Sequence, residues 1–231
     1  MKKTTIVVIL LLISNILSAN SIMPEINNIE SQWARIYYDQ NTSQKRAGYP
    51  MLLKKIQELS KRNPEAIEPM IWEALVIATN AEFESPFTAL DSINTAKTIL
   101  ERTIQQNPNS LDGAAFVILG TLYYLTPGWP ISFGDHDRAE LLLKKGLEIN
   151  PKSIDSNYFY ADYLLTKNKI IEAQRYFRFA INNPSRPEQL YADEQLKKEA
   201  VIALKNTQQR KLNSGRNNFM SLFSFSSVET D

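Results

Sequence analysis

The stretch 139–184, AELLLKKGLEINPKSIDSNYFYADYLLTKNKIIEAQRYFRFAINNP, decides the fold. It contains two helix-patterned blocks, each ended by an Asn-Pro pair, at Asn150-Pro151 and Asn183-Pro184. The residue before a proline is pushed out of the helical region and Asn tolerates the turn that follows, so each pair is a physical helix stop. Two further pairs, Asn63-Pro64 and Asn107-Pro108, end earlier blocks of the same kind, and the four prolines recur 44, 43 and 33 residues apart. A recurrence of that length is the mark of stacked helix pairs. Within the blocks apolar residues return every three or four positions: Leu52, Leu53, Ile56 and Leu59, then Ala96, Ile99, Leu100 and Thr103, then Ala139, Leu142, Leu143, Gly146 and Leu147, then Ala173, Tyr176, Phe177 and Ala180. In the last three a small residue, a large one four later and another small one three later repeat in register. Such positions let two helix backbones approach closely, so the pattern is one of packing.

These residues resemble the tetratricopeptide repeat (TPR), a 34-residue helix pair with the pattern W-x2-L-G-x2-Y, A-x3-F and P. Leu119, Gly120 and Tyr123 match its first half, and Ala139, Leu143, Gly146 and Pro151 its second. Tyr160, Ala161, Leu164, Ala173, Phe177 and Ala180 form the next unit, with Ala173 placed 34 residues beyond Ala139. Trp72, Leu75 and Val76 with Ala96 to Pro108 form the unit before, and Trp33, Ala34 and Tyr37 to Pro64 a degenerate first one. The expectation is an all-α, TPR-like stack of about four helical hairpins over residues 20–212, capped by a C-terminal helix from about Glu188 to Leu212. Residues 213–231, with Phe219, Phe223 and Phe225 spaced by serines, read as a flexible tail.

At the other end, Lys2 and Lys3 precede an apolar run from Ile6 to Ile13, a more polar Ser14 to Ser18, and Ala19. This order is that of a secretory signal peptide over residues 1–19, and the apolar run is shorter than the roughly 20 residues a membrane span needs. An uncleaved N-terminal anchor is the alternative, since Leu17 is larger than the cleavage site prefers. Lys+Arg number 26 against Asp+Glu 25, so no electrostatic attraction to nucleic acid is expected, and removing the signal takes both lysines with it. There is no Cys and one His, His136, which excludes disulfides, thiolate metal sites, a lipidated N-terminal cysteine and a multi-histidine cluster. The reading is a bacterial periplasmic protein that is not a lipoprotein, with no metal and no cofactor.

Residues 125–137, LTPGWPISFGDHD, are not explained by repeat packing. Pro127, Gly128, Pro130 and Gly134 make a rigid loop that holds Trp129 and Phe133, and Asp135 or Asp137 would cap the next helix. Either the two rings plug space beneath the loop, or they border a ligand cavity or partner surface. Leu119-Gly120-Thr121-Leu122-Tyr123-Tyr124, Pro127-Gly128-Trp129-Pro130, Ser132-Phe133-Gly134-Asp135 and the run Ile149-Asn150-Pro151 to Tyr160 are similar to the TatT-like T components of TPR-associated TRAP transporters. That resemblance implies a helical stack with an apolar cleft and a periplasmic solute-binding protein as partner. The absent cysteine departs from the lipidated members.

Repeat proteins bind along the first helix of each pair. Helical spacing places Met70, Glu73 and Ile77, Val117, Thr121 and Tyr124, and Asp155, Tyr158, Asp162 and Leu165 on that face. The basic set that clamps acidic peptide termini is missing, so a hydrophobic or weakly cationic small ligand, or an uncharged protein surface, is expected. Candidate binding residues are therefore Val117, Thr121, Tyr124, Trp129, Phe133, Tyr158 and Asp162; Tyr124 and Tyr158 as plain packing residues is the alternative. No catalytic constellation stands out: His136 has no partnered nucleophile, and Gly128 and Gly134 do not form a phosphate loop. A generic periplasmic TPR scaffold for protein contacts in envelope biogenesis or secretion stays open beside the transport reading, as does a homo-oligomer.

Overall fold

The computed structural model describes residues 22–208. The expected signal peptide and the 213–231 tail lie outside them. Nine α-helices are present among the described residues: α1 (residues 22–39), α2 (Thr42–Arg62), α3 (Glu68–Asn80), α4 (Pro86–Gln106), α5 (Ala114–Leu125), α6 (His136–Ile149), α7 (Ile154–Thr166), α8 (Ile170–Asn182) and α9 (Leu190–Gln208). No strand occurs among these residues, so the fold is all-α, with one isolated bridge between Gly128 and Gly134. No described helix is long and apolar enough to cross a membrane.

The helix ends follow the local chemistry of the sequence. Asn63, Asn107, Asn150 and Asn183 are the C-caps of α2, α4, α6 and α8. Each supplies a backbone N–H to a carbonyl of the last turn, and the proline behind it cannot extend the ladder. At the other ends Asn41, Ser85, Asp135 and Ser153 accept backbone N–H groups of the first turns of α2, α4, α6 and α7.

Helices adjacent in the chain pack in pairs, and the odd-numbered helices also touch one another, α3 to α5, α5 to α7 and α7 to α9. Small residues set how close they come. A Cβ added to Gly120 of α5 would sit 2.8 Å from Leu143 Cγ, and one added to Gly146 of α6 would sit 2.7 Å from Val117 Cγ2. Each helix thus offers the other a glycine socket. The small-large-small triplets are buried throughout: Ala96, Leu100 and Thr103 in α4, Ala139, Leu143 and Gly146 in α6, Ala173, Phe177 and Ala180 in α8. The α5 helix is buried from Ala115 to Leu125 except at Ile118, as a helix apolar on all sides must be.

The first and last helices meet. Tyr191 of α9 donates a hydrogen bond from its hydroxyl to Asp39, stacks edge-on against Tyr38 at 6.4 Å and lies under the Arg35 guanidinium. This contact joins α1 to α9 across 152 residues of sequence. The layer of odd-numbered helices therefore closes on itself instead of remaining an open face.

Candidate functional site

Inside that closed layer is a cavity of about 400 Å³. Its walls are single helical stripes. From α1 come Met23, Asn27, Glu30, Trp33, Tyr37 and Tyr38; from α3 Glu68, Ile71, Trp72 and Leu75; from α5 Ala114, Val117, Ile118 and Thr121. Ser153, Asp155, Ser156, Tyr158 and Phe159 contribute from the start of α7, and Arg186, Ala192, Leu196 and Glu199 from α9 and the segment before it. The exposed lining residues Met23, Asn109, Asp112 and Glu188 all lie at or before the N-terminal ends of these helices, which places the mouth there. Glu30, Tyr37, Trp72 and Tyr158 are buried further in.

The mouth is built by one unusual turn. Leu111 (φ 48°), Asp112 (φ 55°) and Gly113 (φ 78°) are three successive left-handed residues between α4 and α5. For Leu and Asp this conformation costs roughly 1 kcal/mol or more each, and it brings both side chains to the cavity. Ser110 Oγ donates to Glu68 Oε1 at 2.8 Å and Asn150 Nδ2 to Asp112 Oδ2 at 3.2 Å, which fixes the turn against α3 and the end of α6.

Charge in the cavity is mostly negative. Glu30, Glu68, Asp112, Asp155, Glu188 and Glu199 line it, against Arg186. Glu68 and Asp155 occupy first turns, where the helix dipole favours an acid. Arg186 is already matched: its Nη2 is 2.8 Å from Asp155 Oδ2 and 2.5 Å from Asp193 Oδ1, while its Nε donates to Asp193 Oδ2 at 3.1 Å. Although burial works against the guanidinium charge, Asp155 and Asp193 hold it protonated well above its ordinary range. Glu30 differs from the other acids. It is 3% exposed, and its one hydrogen bond among the described residues is a 3.4 Å contact from Ser31 Oγ. Burial, opposed by Arg186 and aided by Asp193 and Asp155, pushes its carboxyl up to about 7.

Rings share the cavity wall with this carboxylate. Trp33 stacks on Tyr37 at 5.0 Å and tilts against Trp72 at 6.0 Å, and Tyr158 lies on the opposite wall, edge-on to Phe159 at 5.2 Å. Burial, then the nearby Glu199 carboxylate, raises the phenols of Tyr37, Tyr38 and Tyr158, so all three remain neutral hydroxyls. Among the described residues no group of three or more His, Asp or Glu could hold a metal ion.

The candidates from sequence fall in three places. Val117, Thr121 and Tyr158 meet on the cavity wall. Tyr124 and Asp162 are joined to each other by a 2.8 Å hydrogen bond between α5 and α7, outside the lining. Trp129 and Phe133 lie on the α5–α6 loop, also outside the lining: Trp129 is 90% exposed, whereas Phe133 packs edge-on against Tyr123 at 5.1 Å. The loop itself is pinned. Gly134 N–H donates to Pro127 O and Asp135 N–H to Tyr123 O, both at 2.9 Å, and a Cβ on Gly134 would sit 1.9 Å from Thr126 O. Gly128 faces Gly134 across the bridge, Pro130 follows the exposed Trp129, and Asp135 caps α6 by accepting the N–H groups of Asp137 and Arg138.

Sequence reasoning missed Glu30, Trp33, Arg186 and Glu199 as members of one site. On α3 it set the phase on Met70, Glu73 and Ile77, whereas Glu68, Ile71, Trp72 and Leu75 face the cavity. Comparison with known proteins adds no family: no family model matches the chain, and no curated protein matches it.

Proposed function

We propose that the chain is an exported, TPR-like binding protein that holds a small ligand with an apolar body in its helix-lined cavity. The stack is read as four helical hairpins, α1–α2, α3–α4, α5–α6 and α7–α8, with α9 as the capping helix. One observation carries the reading: the cavity of about 400 Å³ takes its walls from the first helix of each hairpin, the face on which repeat proteins bind. Its volume and its aromatic walls with a few buried polar groups are those of a small-molecule site. The role that fits the TatT-like resemblance is to assist a periplasmic solute-binding protein or TRAP-type transporter, which makes the protein a carrier or adaptor and not a catalyst. The test is to purify the protein from its native compartment, extract it with organic solvent and analyse the extract by mass spectrometry. A stoichiometric small molecule supports the reading, and repeated absence from folded protein overturns it.

A second reading draws on a different observation. Trp129 and Ile131 stand 90% and 68% exposed on a loop that is rigidly pinned at both ends. Presented apolar side chains of this kind suit contact with another protein, which favours a scaffold in envelope biogenesis or secretion. Loss of partner capture in Trp129→Ala, with ligand content unchanged, would favour it.

A further inference from the structure

The acids near the mouth have structural explanations and Glu30 has none. Glu68 and Asp155 sit at helix starts, and Asp155 also pairs with Arg186. Glu30 lies at least two turns inside α1, on the stripe that carries Trp33 and Tyr37, with no cation within ion-pair distance among the described residues. The charged groups facing it are Arg186 from the segment before α9, Asp193 from α9 and Asp155 from α7. Ionised, this set is one positive charge against three negative ones, in a buried space where such an imbalance is costly. The rings of Trp33, Trp72 and Tyr158 are the other half of the chemistry, whereas Tyr37 is stacked on Trp33 and already has the Lys45 ammonium 5.2 Å from its ring centre. Aromatic faces carry negative potential and attract cations, most strongly where water is excluded.

We propose that the cavity takes an organic cation, an ammonium group on an apolar body, with the charge placed between Glu30 and the indole of Trp33 and the body lying along Trp72 and Tyr158. The proposal rests on the reading of the cavity as a ligand site and names the class of ligand. Glu199, deeper on α9 beside Tyr37, Tyr38 and Tyr158, extends the same negative potential toward the C-terminal ends of the helices, where the dipoles also favour a cation.

The experiment titrates the whole chain at pH 8 with octyltrimethylammonium, octanol and octanoate, three probes of one chain length and different charge, by calorimetry. The expected result is that the ammonium binds about tenfold or more tightly than octanol, with octanoate weakest, and that Glu30→Gln brings the ammonium-to-octanol ratio toward one. Because the ammonium carries a fixed charge, its affinity for the unaltered protein should also rise several-fold from pH 5.5 to pH 8 as Glu30 ionises, a readout that does not depend on the variant folding. Equal affinities for ammonium and octanol, or a preference for octanoate, would overturn the cation while leaving a ligand cavity in place. Binding of none of the three probes would overturn the ligand site itself.

Discussion

Replacing Glu30 by Gln should change the pH dependence of stability more than stability itself. In the folded protein the Glu30 carboxyl titrates near 7, against 4.5 for an ordinary glutamate, because it is 3% exposed and faces Asp155 and Asp193 as well as Arg186. Between those two values the native state holds a proton that the unfolded chain has lost. Stability contributed by the neutral side chain is therefore fully present below about pH 4.5 and is lost as pH rises through about 7. At about 1.4 kcal/mol per unit the ceiling is about 3 kcal/mol; water admitted by the cavity screens the charge, so about 2 kcal/mol is expected. Gln is isosteric with the protonated acid and cannot ionise. Urea unfolding at intervals from pH 4 to pH 8 should give Glu30→Gln close to the parent at pH 4 and about 2 kcal/mol more stable at pH 8, which in a thermal melt would correspond to a gain of roughly 4–8 °C for a chain of this size. A difference that stays flat across the whole range would refute the claim that Glu30 is buried without a matching cation.

Asp193→Ala should cost about 3 kcal/mol in the same assay, because the Asp193 side chain is 1% exposed and its removal leaves Arg186 with Asp155 alone. Gly146→Ala should cost about 1–3 kcal/mol by thermal unfolding despite the better helix propensity of Ala, since the new Cβ would lie 2.7 Å from Val117 Cγ2 and force α5 and α6 apart. Trp129→Ala should change stability by less than about 0.5 kcal/mol, as expected for a ring that is 90% exposed. A larger loss would mean that the ring packs against something in solution.

What the sequence made legible was local. An Asn-Pro pair stops a helix by sterics confined to two residues, and Asn63, Asn107, Asn150 and Asn183 are all C-caps. The triplet Ala139, Leu143 and Gly146 identified the close face of α6 because size at a crossing is visible in the residue type. The lining of α5 and α7 was partly legible, through Val117, Thr121 and Tyr158. On α3 it was not: Ile71, Trp72, Ala74, Val76, Ala78 and Thr79 are buried around most of the circumference, so periodicity sets no phase and the lining stripe falls elsewhere than on Met70, Glu73 and Ile77. Arg186 was invisible as a cavity residue because it lies outside the helix-patterned blocks, in the segment that leads into α9. The pairing of α1 with α9 through Tyr191 and Asp39 is a contact 152 residues apart in sequence that no short-range pattern encodes. The left-handed backbone at Leu111 gives no signal either, since Leu disfavours that conformation, and Asp112 only tolerates it.

Three departures from ordinary folding rules meet at the cavity, although others, such as the left-handed Asn168 and the buried Thr126 Oγ1 with no partner among the described residues, lie elsewhere. Leu111 and Asp112 adopt a backbone conformation that L side chains disfavour, Glu30 is an acid buried in mid-helix, and the indole Nε1 of Trp72 is buried with no hydrogen-bond partner among the described residues. These are three kinds of cost, in backbone, charge and hydrogen bonding, and they arise on α1, α3 and the α4–α5 turn, which are separate in sequence. Each opposes folding by an amount comparable to a sizeable share of the net stability of a domain. A repeat stack needs none of them, since the contacts of Gly120, Leu143, Phe177 and their neighbours close the core without them. Their residues nonetheless line the same cavity. Local rules are broken where a protein does something other than fold, and three independent costs meeting at one space support the ligand site proposed there.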